Sequence, residues 1–212
     1  MRGYEELVDL FISVGADVDA QNGWFSPLTA ACREGHLRTV EMLLHRGSNI
    51  NQTNKNGETP IHTACFGGHY SLVKLLIEKH ADINKRDKYY RTPLYVCCLS
   101  GHESIAQLLI DEGAKVGESS DSLIVAIHGG HVKIVEQFIS KDFPLDSVDI
   151  KNLETPLHKS CRKGSVDVIL TLLDNGADTK QTNKDRHTPV FLAKTEGKIV
   201  NESILKALGE MK

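Results

Sequence analysis

Apolar residues in this chain recur at helical spacing, in short bursts separated by polar stretches. The sets Val40/Leu43/Leu44, Val73/Leu76/Ile77, Ala106/Leu109/Ile110, Val135/Phe138/Ile139 and Ile169/Leu172/Leu173 each fall at i, i+3 and i+4, the signature of a helix with one buried face. Ahead of each set lies a second, shorter burst that opens on proline in four of the five cases and closes on glycine in all. Pro27, Pro60, Pro93, Pro156 and Pro189 suit the first turn of a helix, where the missing N–H would be unpaired anyway. Ser26, Thr59, Thr92, Thr155 and Thr188 stand just before them as N-caps. Gly35, Gly68, Gly101, Gly130 and Gly164 end the first helix of each pair; Gly47, Gly113 and Gly176 end the second, with His80 and Asp142 in the places of two further glycines. The pattern predicts pairs of short helices joined by turns.

Laid against itself, the chain repeats. The residue after each proline position falls at Leu28, Ile61, Leu94, Leu123, Leu157 and Val190, with successive differences of 33, 33, 29, 34 and 33. Around these markers stand SPLTAACREGH, TPIHTACFGGH, TPLYVCCLSGH, DSLIVAIHGGH, TPLHKSCRKGS and TPVFLAKTEGK. This phrase, at a period of about 33 residues, resembles the ankyrin-repeat family closely. The resemblance implies an all-α repeat fold, a solenoid of stacked helix-turn-helix units joined by β-hairpin-like loops. One such unit cannot bury its own apolar stripe, so neighbours must stack. The expected organisation is a single ankyrin-repeat domain over 1–212: a half-repeat at 1–21, repeats at approximately 22–54, 55–87, 88–117, 118–150 and 151–183, and a degenerate capping repeat at 184–212. In the half-repeat, Val8, Phe11, Ile12 and Gly15 fit a second helix and its stop. That leaves apolar surface open unless something covers it, as it would in a longer protein. Ile204, Ala207 and Leu208 reproduce the second-helix stripe at the far end. Around Gly117 to Asp121 about four residues and the Thr-Pro start are missing, a clipped turn that would change the local curvature or serve a partner as a notch or hinge.

Composition narrows the function. The formal charge of −3 opposes a nucleic-acid binder, although Lys159, Arg162, Lys163, Lys184 and Arg186 make the last repeats basic. No apolar run reaches the roughly 18 residues of a membrane-spanning helix, so direct membrane insertion is not expected. Cys32, Cys65, Cys98 and Cys161 share one register, with Ile127 in the same place of the short repeat. One per repeat puts neighbours roughly 8–10 Å apart, beyond the reach of a disulfide or a tetrahedral zinc site. They read as small core residues. Cys97 faces elsewhere and is a candidate reactive thiol. His36, His69, His102 and His131 fall just after the helix-ending glycine, and His62 and His158 sit in the Thr-Pro-Leu-His place. The resemblance implies that these are structural, hydrogen-bonding a repeat to its own turn or to the next repeat. With no nucleophile–base set and every glycine absorbed by repeat punctuation, catalytic residues, cofactor and metal are all expected to be absent, and a small-molecule ligand is not expected.

What departs from the pattern is free for recognition. The turn tip carries glycine at Gly57, but Trp24, Tyr90, Leu153 and Arg186 occupy its register elsewhere, flanked by Phe25, Tyr89 and His187. Arg33, Phe66, Leu99, His128 and Arg162 share a register at the exposed end of the first helix, which faces the concave side in the family. Large aromatic and cationic side chains make interface anchors, so the expected partner-binding set is Trp24, Phe25, Arg33, Phe66, Tyr89, Tyr90, Leu99, Leu153 and Arg162. The expected function is a cytoplasmic or nuclear protein–protein interaction module, a scaffold, adaptor or targeting segment, that binds a protein or peptide mainly on its concave face. The rival is a substrate-recruiting ankyrin domain of a larger enzyme or channel. Asn51 and Asn84, four residues after Gly47 and His80, are spaced like the family's sites for the asparaginyl hydroxylase that also modifies hypoxia-inducible factor, and are candidates for that modification.

Overall fold

The structure, a computed structural model, describes residues 2–21, 24–116, 121–196 and 202–209, and among them every regular element is a helix. It divides into two compact units, Met1–Ala114 and Lys115–Lys212. The first holds α1 (Arg2–Ser13), α2 (Pro27–Glu34), α3 (Leu37–His45), α4 (Pro60–Gly67), α5 (Tyr70–Glu78), α6 (Pro93–Ser100) and α7 (Glu103–Asp111). The second holds α8 (Asp121–Gly129), α9 (Val132–Ser140), α10 (Pro156–Lys163), α11 (Val166–Asp174), α12 (Pro189–Thr195) and α13 (Glu202–Ala207). Within the first unit α2 packs on α3 and α4, and α4 on α5 and α6. Within the second α10 packs on α8, α11 and α12, and α9 packs on α11. Within each unit the first helices thus lean on their own second helix and on the equivalent helix beside them, the stacking that the repeat period requires. The shortened turn falls at 117–120, outside the described residues, while α8 begins without a proline and buries Ser122 in its place.

Local physics places the helix starts. Ser26 is extended at φ −81°, ψ 164°, Pro27 opens α2, and the Ser26 hydroxyl accepts the Thr29 N–H at 3.2 Å. The Thr29 hydroxyl oxygen accepts the Ser26 N–H in return at 2.8 Å, closing a capping box. Two repeats use histidine instead. The Thr59 N–H donates to His62 Nδ1 at 3.2 Å, which leaves Nε2–H to donate to the Arg91 carbonyl of the next turn at 3.1 Å. His158 does the same between Thr155 and the His187 carbonyl. His69 and His102 donate in the other direction, to the carbonyls of Arg33 and Phe66 on the preceding repeat. The histidines are therefore ties between repeats. Gly68 shows why the helix end must be glycine: its φ is 73°, and a Cβ there would lie 2.6 Å from the His102 ring.

The core follows the markers. Leu28, Ile61, Leu94, Leu123 and Leu157 are buried, as are Cys32, Cys65, Cys98, Cys161 and Ile127. The buried stripe of the second helices is wider than i, i+3, i+4: Leu72, Ile105, Ile134 and Val168 are buried one position earlier, and Leu44, Ile77, Ile139 and Leu173 are only half-buried. A helix packed against both its own partner and the equivalent helix of an adjoining repeat buries more than one row. Cys97 is corrected for the same reason. It lies in α6, which packs on both α4 and α7, and it is buried; burial and the adjoining Cys65 thiol push its own thiol well above the usual range. A buried, protonated thiol is unreactive. At the far end Ile204 and Leu208 are buried but Ala207 is exposed, so that stripe is carried by two residues. In α1 and just after it, Leu7, Leu10, Phe11 and Val14 are exposed.

Burial lowers the pKa of His62 and of His158 below 6.5, outweighing the hydrogen bonds to the Arg91 and His187 carbonyls. Each Nδ1 already receives a backbone N–H, so a proton there would break the capping box. The unfolded chain then binds more protons than the folded one below pH 6.5, and stability falls as pH drops from 6.5 through the folded values. We expect the thermal midpoint to fall between pH 7 and pH 5, and the slope to shrink when His62 and His158 are both replaced by Gln. A double variant with the full wild-type slope would assign the acid sensitivity elsewhere.

Candidate functional site

The turn tips are built by buried side-chain amides and carboxylates. Asn54 Oδ1 accepts the N–H groups of Asn56 and Glu58 at 2.9 and 3.0 Å. Asp87 accepts those of Tyr89 and Arg91 at 2.8 and 2.9 Å, and Asn183 those of Asp185 and His187 at 3.0 and 2.9 Å. Each such loop forces a left-handed residue at its apex. Gly57 takes it at φ 78°, but Tyr90, Leu153 and Arg186 also hold φ 61°, 55° and 63°. A bulky residue there is strained by about 1 kcal/mol or more, so these tips keep large side chains against local preference.

Five of the nine expected residues meet in one place. Trp24, Phe25, Arg33, Phe66 and Leu99 line a groove of about 270 Å³ in the first unit, together with Asn54, Asn56, Glu58, His62, Thr63, Arg91 and Val96. Trp24, Phe66 and Leu99 are 56%, 58% and 50% exposed, so the groove offers apolar surface to a binder. Cations stand over its rings: the Arg33 guanidinium is 5.2 Å from the Phe25 centroid and 5.8 Å from that of Phe66, and Lys55 Nζ is 5.8 Å from Trp24. On the rim, Arg91 pairs with Glu58 at 3.0 Å and Asp87 at 2.6 Å, and Asn54 donates to Glu58 at 2.8 Å. This polar rim escaped the sequence reading. Its signal was the acid or amide four residues before each Arg91-like position, which is visible only once the turns are known to stack.

The other four residues lie apart from the groove. Tyr89 is stacked beneath Arg91 at 4.9 Å, and Tyr90 projects from the tip, 76% exposed. Leu153 and Arg162 belong to the second unit. There Arg162 is ion-paired to Glu154 and Glu196, while Lys159 holds Asp149 and, at 3.2 Å, Glu154. Asn51 is exposed and its Oδ1 accepts the Asp82 N–H of the next repeat at 2.9 Å. The Asn84 N–H donates to Asp82 Oδ1 at 3.0 Å. Among the described residues, no three His, Cys, Asp or Glu side chains come together to hold a metal, and no helix is long and apolar enough to cross a membrane.

Stacked helix pairs with exposed aromatic and cationic residues at the turn side define a repeat protein of the protein-interaction class. The chain belongs to the ankyrin-repeat family: the family model for ankyrin repeats (3 copies) matches residues 1–54, 28–120 and 117–183. Among curated proteins it is 40% identical over 57 residues to human ankyrin repeat and KH domain-containing protein 1, and 35% identical over 78 residues to mouse 2-5A-dependent ribonuclease. Those stretches are 27% and 37% of this chain but only 2% and 11% of the relatives. Among solved structures, the ankyrin repeat domain of Bcl-3, a member of the IkappaB protein family, shares the fold at TM-score 0.80 and 22% identity, over 96% of this chain and 91% of that one. The human ASB11 ankyrin repeat domain matches at TM-score 0.63 and 26% identity, over 87% and 96%. A structure of the Bd0816 predatory endopeptidase from Bdellovibrio bacteriovorus in complex with immunity protein Bd3460 matches at 0.76 and 24%, over 89% and 100%. Ankyrin repeats are a general protein–protein interaction fold, typically a binding module without catalysis.

Proposed function

We propose that this chain binds a partner protein or peptide on its concave face, the side that carries the turn tips and the ends of the first helices, and that the groove between Trp24 and Leu99 is the centre of that site. The observation that carries this reading is the gathering of three half-exposed apolar side chains and a stacked arginine in one cleft. Interface anchors concentrate in such places, rimmed by polar groups. The exposed face of the second helices offers mostly Arg38, Glu41, Lys74, Gln107, Lys133 and Glu136, which gain little from desolvation. A scaffold, adaptor or targeting role in the cytoplasm or nucleus fits such a site, as does the substrate-recruiting part of a larger enzyme or channel. A nucleic-acid role through the basic repeats is disfavoured, because Lys159 and Arg162 are already paired within the fold.

Affinity capture from cell extract tests the site. Proteins held by the wild type and by a Glu41→Ala/Lys133→Ala variant should be lost with Phe66→Asp; proteins held equally by all three would move the site off this face. Asn51 and Asn84 remain our candidates for asparaginyl hydroxylation. Mass spectrometry of the chain expressed in animal cells should find a 16 Da addition on one or both, and both unmodified would remove the assignment.

A further inference from the structure

In the groove that we read as the partner site, Arg33 has no acidic counterpart among the described residues. The Arg33 guanidinium stands over the rings of Phe25 and Phe66, at 5.2 and 5.8 Å from their centroids. The rings engage its charge as cation–π partners but accept none of its N–H groups in the plane of the guanidinium. Among the described residues it makes no ion pair and no side-chain hydrogen bond. Glu58, the acid that lines the same groove, already accepts from Arg91 at 3.0 Å and from Asn54 at 2.8 Å. Arg33 is exposed, so its donors are open to solvent.

An apolar segment laid over Trp24, Phe66 and Leu99 would strip that solvent away. A desolvated guanidinium without an acceptor is strongly unfavourable, so a ligand that uses the apolar surface must also bring an acceptor to Arg33. A carboxylate matches the planar fork of N–H donors with two parallel hydrogen bonds, and the cation–π contacts with Phe25 and Phe66 favour keeping that fork at the groove before binding. Lys55, over Trp24, adds a second positive charge on the same side. The volume of about 270 Å³ suits one large side chain, and three successive repeats supply the lining. A bound chain therefore passes through and touches side chains on either side of the guanidinium.

We propose that this groove selects a partner segment in which an internal Asp or Glu stands beside a large apolar residue, with Arg33 holding the carboxylate and Trp24, Phe66 and Leu99 holding the apolar side chain. This inference rests on the groove being the binding site, and the test separates the two. The probes are short C-terminally amidated peptides with a central Leu, Phe or Trp flanked by Glu, Gln or Lys, plus a set whose only carboxylate is a free C-terminus. Binding to the whole chain is read by fluorescence anisotropy. The wild type should prefer Glu over Gln about tenfold, as expected for a charge-assisted bidentate pair, with Lys weakest. Arg33→Gln should abolish the Glu preference, and Arg33→Glu should reverse it towards Lys. Equal affinity for Glu and Gln, an order unchanged by Arg33→Glu, or no peptide binding above the Arg33→Glu background would overturn the proposal. Tighter binding of the free C-terminus set would overturn the internal form of it. Should Phe66→Ala leave the tightest peptide unaffected while the Arg33 variants behave as expected, the apolar groove fails as the site and only the arginine contact survives.

Discussion

Trp24→Ala and Phe66→Ala each weaken binding of the partner segment by a factor of about ten or more, while the melting temperature stays nearly where it was. The two halves of this expectation come from the same fact. Both side chains are more than half exposed in the free chain, so truncation removes little that the fold itself buries, and surface changes away from special features are usually within about 0.5 kcal/mol. In a complex the same side chains would be covered at the centre of a polar-rimmed cleft, where truncation of an aromatic anchor costs about 2 kcal/mol or more. Phe66 carries an additional load, since its ring flanks Arg33; its loss frees the guanidinium to move as well as removing apolar area. Glu41→Ala and Lys133→Ala, on the second-helix face, should change binding less than twofold, about 0.4 kcal/mol. Titration calorimetry paired with thermal denaturation reads both quantities. A large drop in melting temperature with Trp24→Ala would mean that the indole packs inside its own turn, and the reverse ranking of variants would place the site on the second-helix face.

How much of this could be read from the chain depends on the range of the forces involved. Helix starts and stops were legible because the Pro27-type and Gly68-type positions obey sterics within a few residues. The histidine ties were legible only through the family resemblance, because the bond from His62 to the Arg91 carbonyl spans 29 positions and depends on two repeats lying side by side. The buried stripe was read too narrowly: a hydrophobic pattern tells which face is apolar, and Leu72 or Val168 is buried by a neighbour that the pattern does not contain. Cys97 stood as a candidate reactive thiol because it faces away from the Cys98 register, but α6 packs on both α4 and α7 and buries it. For the site, large residues at the turn tip pointed to Trp24 and Phe25 and those at the exposed end of the first helix to Arg33, Phe66 and Leu99, which the stacking brings together. Tyr90 and Leu153 sit at tips outside that groove, and the left-handed backbone there was invisible until the buried Asx residues were seen to wrap the turns. Arg162 shares a register with Arg33, yet its surroundings differ. Acids at 154 and 196 engage it, and nothing in the register of one residue reports the charges 8 and 34 positions away.

That difference makes the second unit the place where an ionic substitution should hurt the fold. Glu154 has a side chain only 2% exposed, and it accepts from Arg162, from Lys159 Nζ at 3.2 Å and from Asn183 Nδ2 at 3.5 Å. Burial works against its charge, but the hydrogen bonds from Arg162 and Lys159 outweigh that and hold its carboxyl below 4.5. Removing one member of a fully buried ion pair costs about 3–5 kcal/mol. Here the cations keep second partners, Asp149 for Lys159 and Glu196 for Arg162, and Arg162 is 39% exposed, so we expect Glu154→Ala to cost less, about 2–3 kcal/mol. That corresponds to a melting temperature lower by roughly 5–10 °C for a chain of this size. Glu154→Gln keeps an acceptor and the volume and should lose about half as much. Glu58→Ala is the control: Glu58 is 25% exposed and Arg91 retains Asp87, so the change should stay within about 1 kcal/mol. The sign with pH follows from the lowered pKa. The charged form of Glu154 stabilises the fold above pH 4.5, and that contribution is lost as pH falls through its folded value, so wild type and Glu154→Gln should converge in acid. A Glu154→Ala melting temperature within a degree or two of wild type at pH 7 would show that Asp149 and Glu196 alone satisfy the two cations.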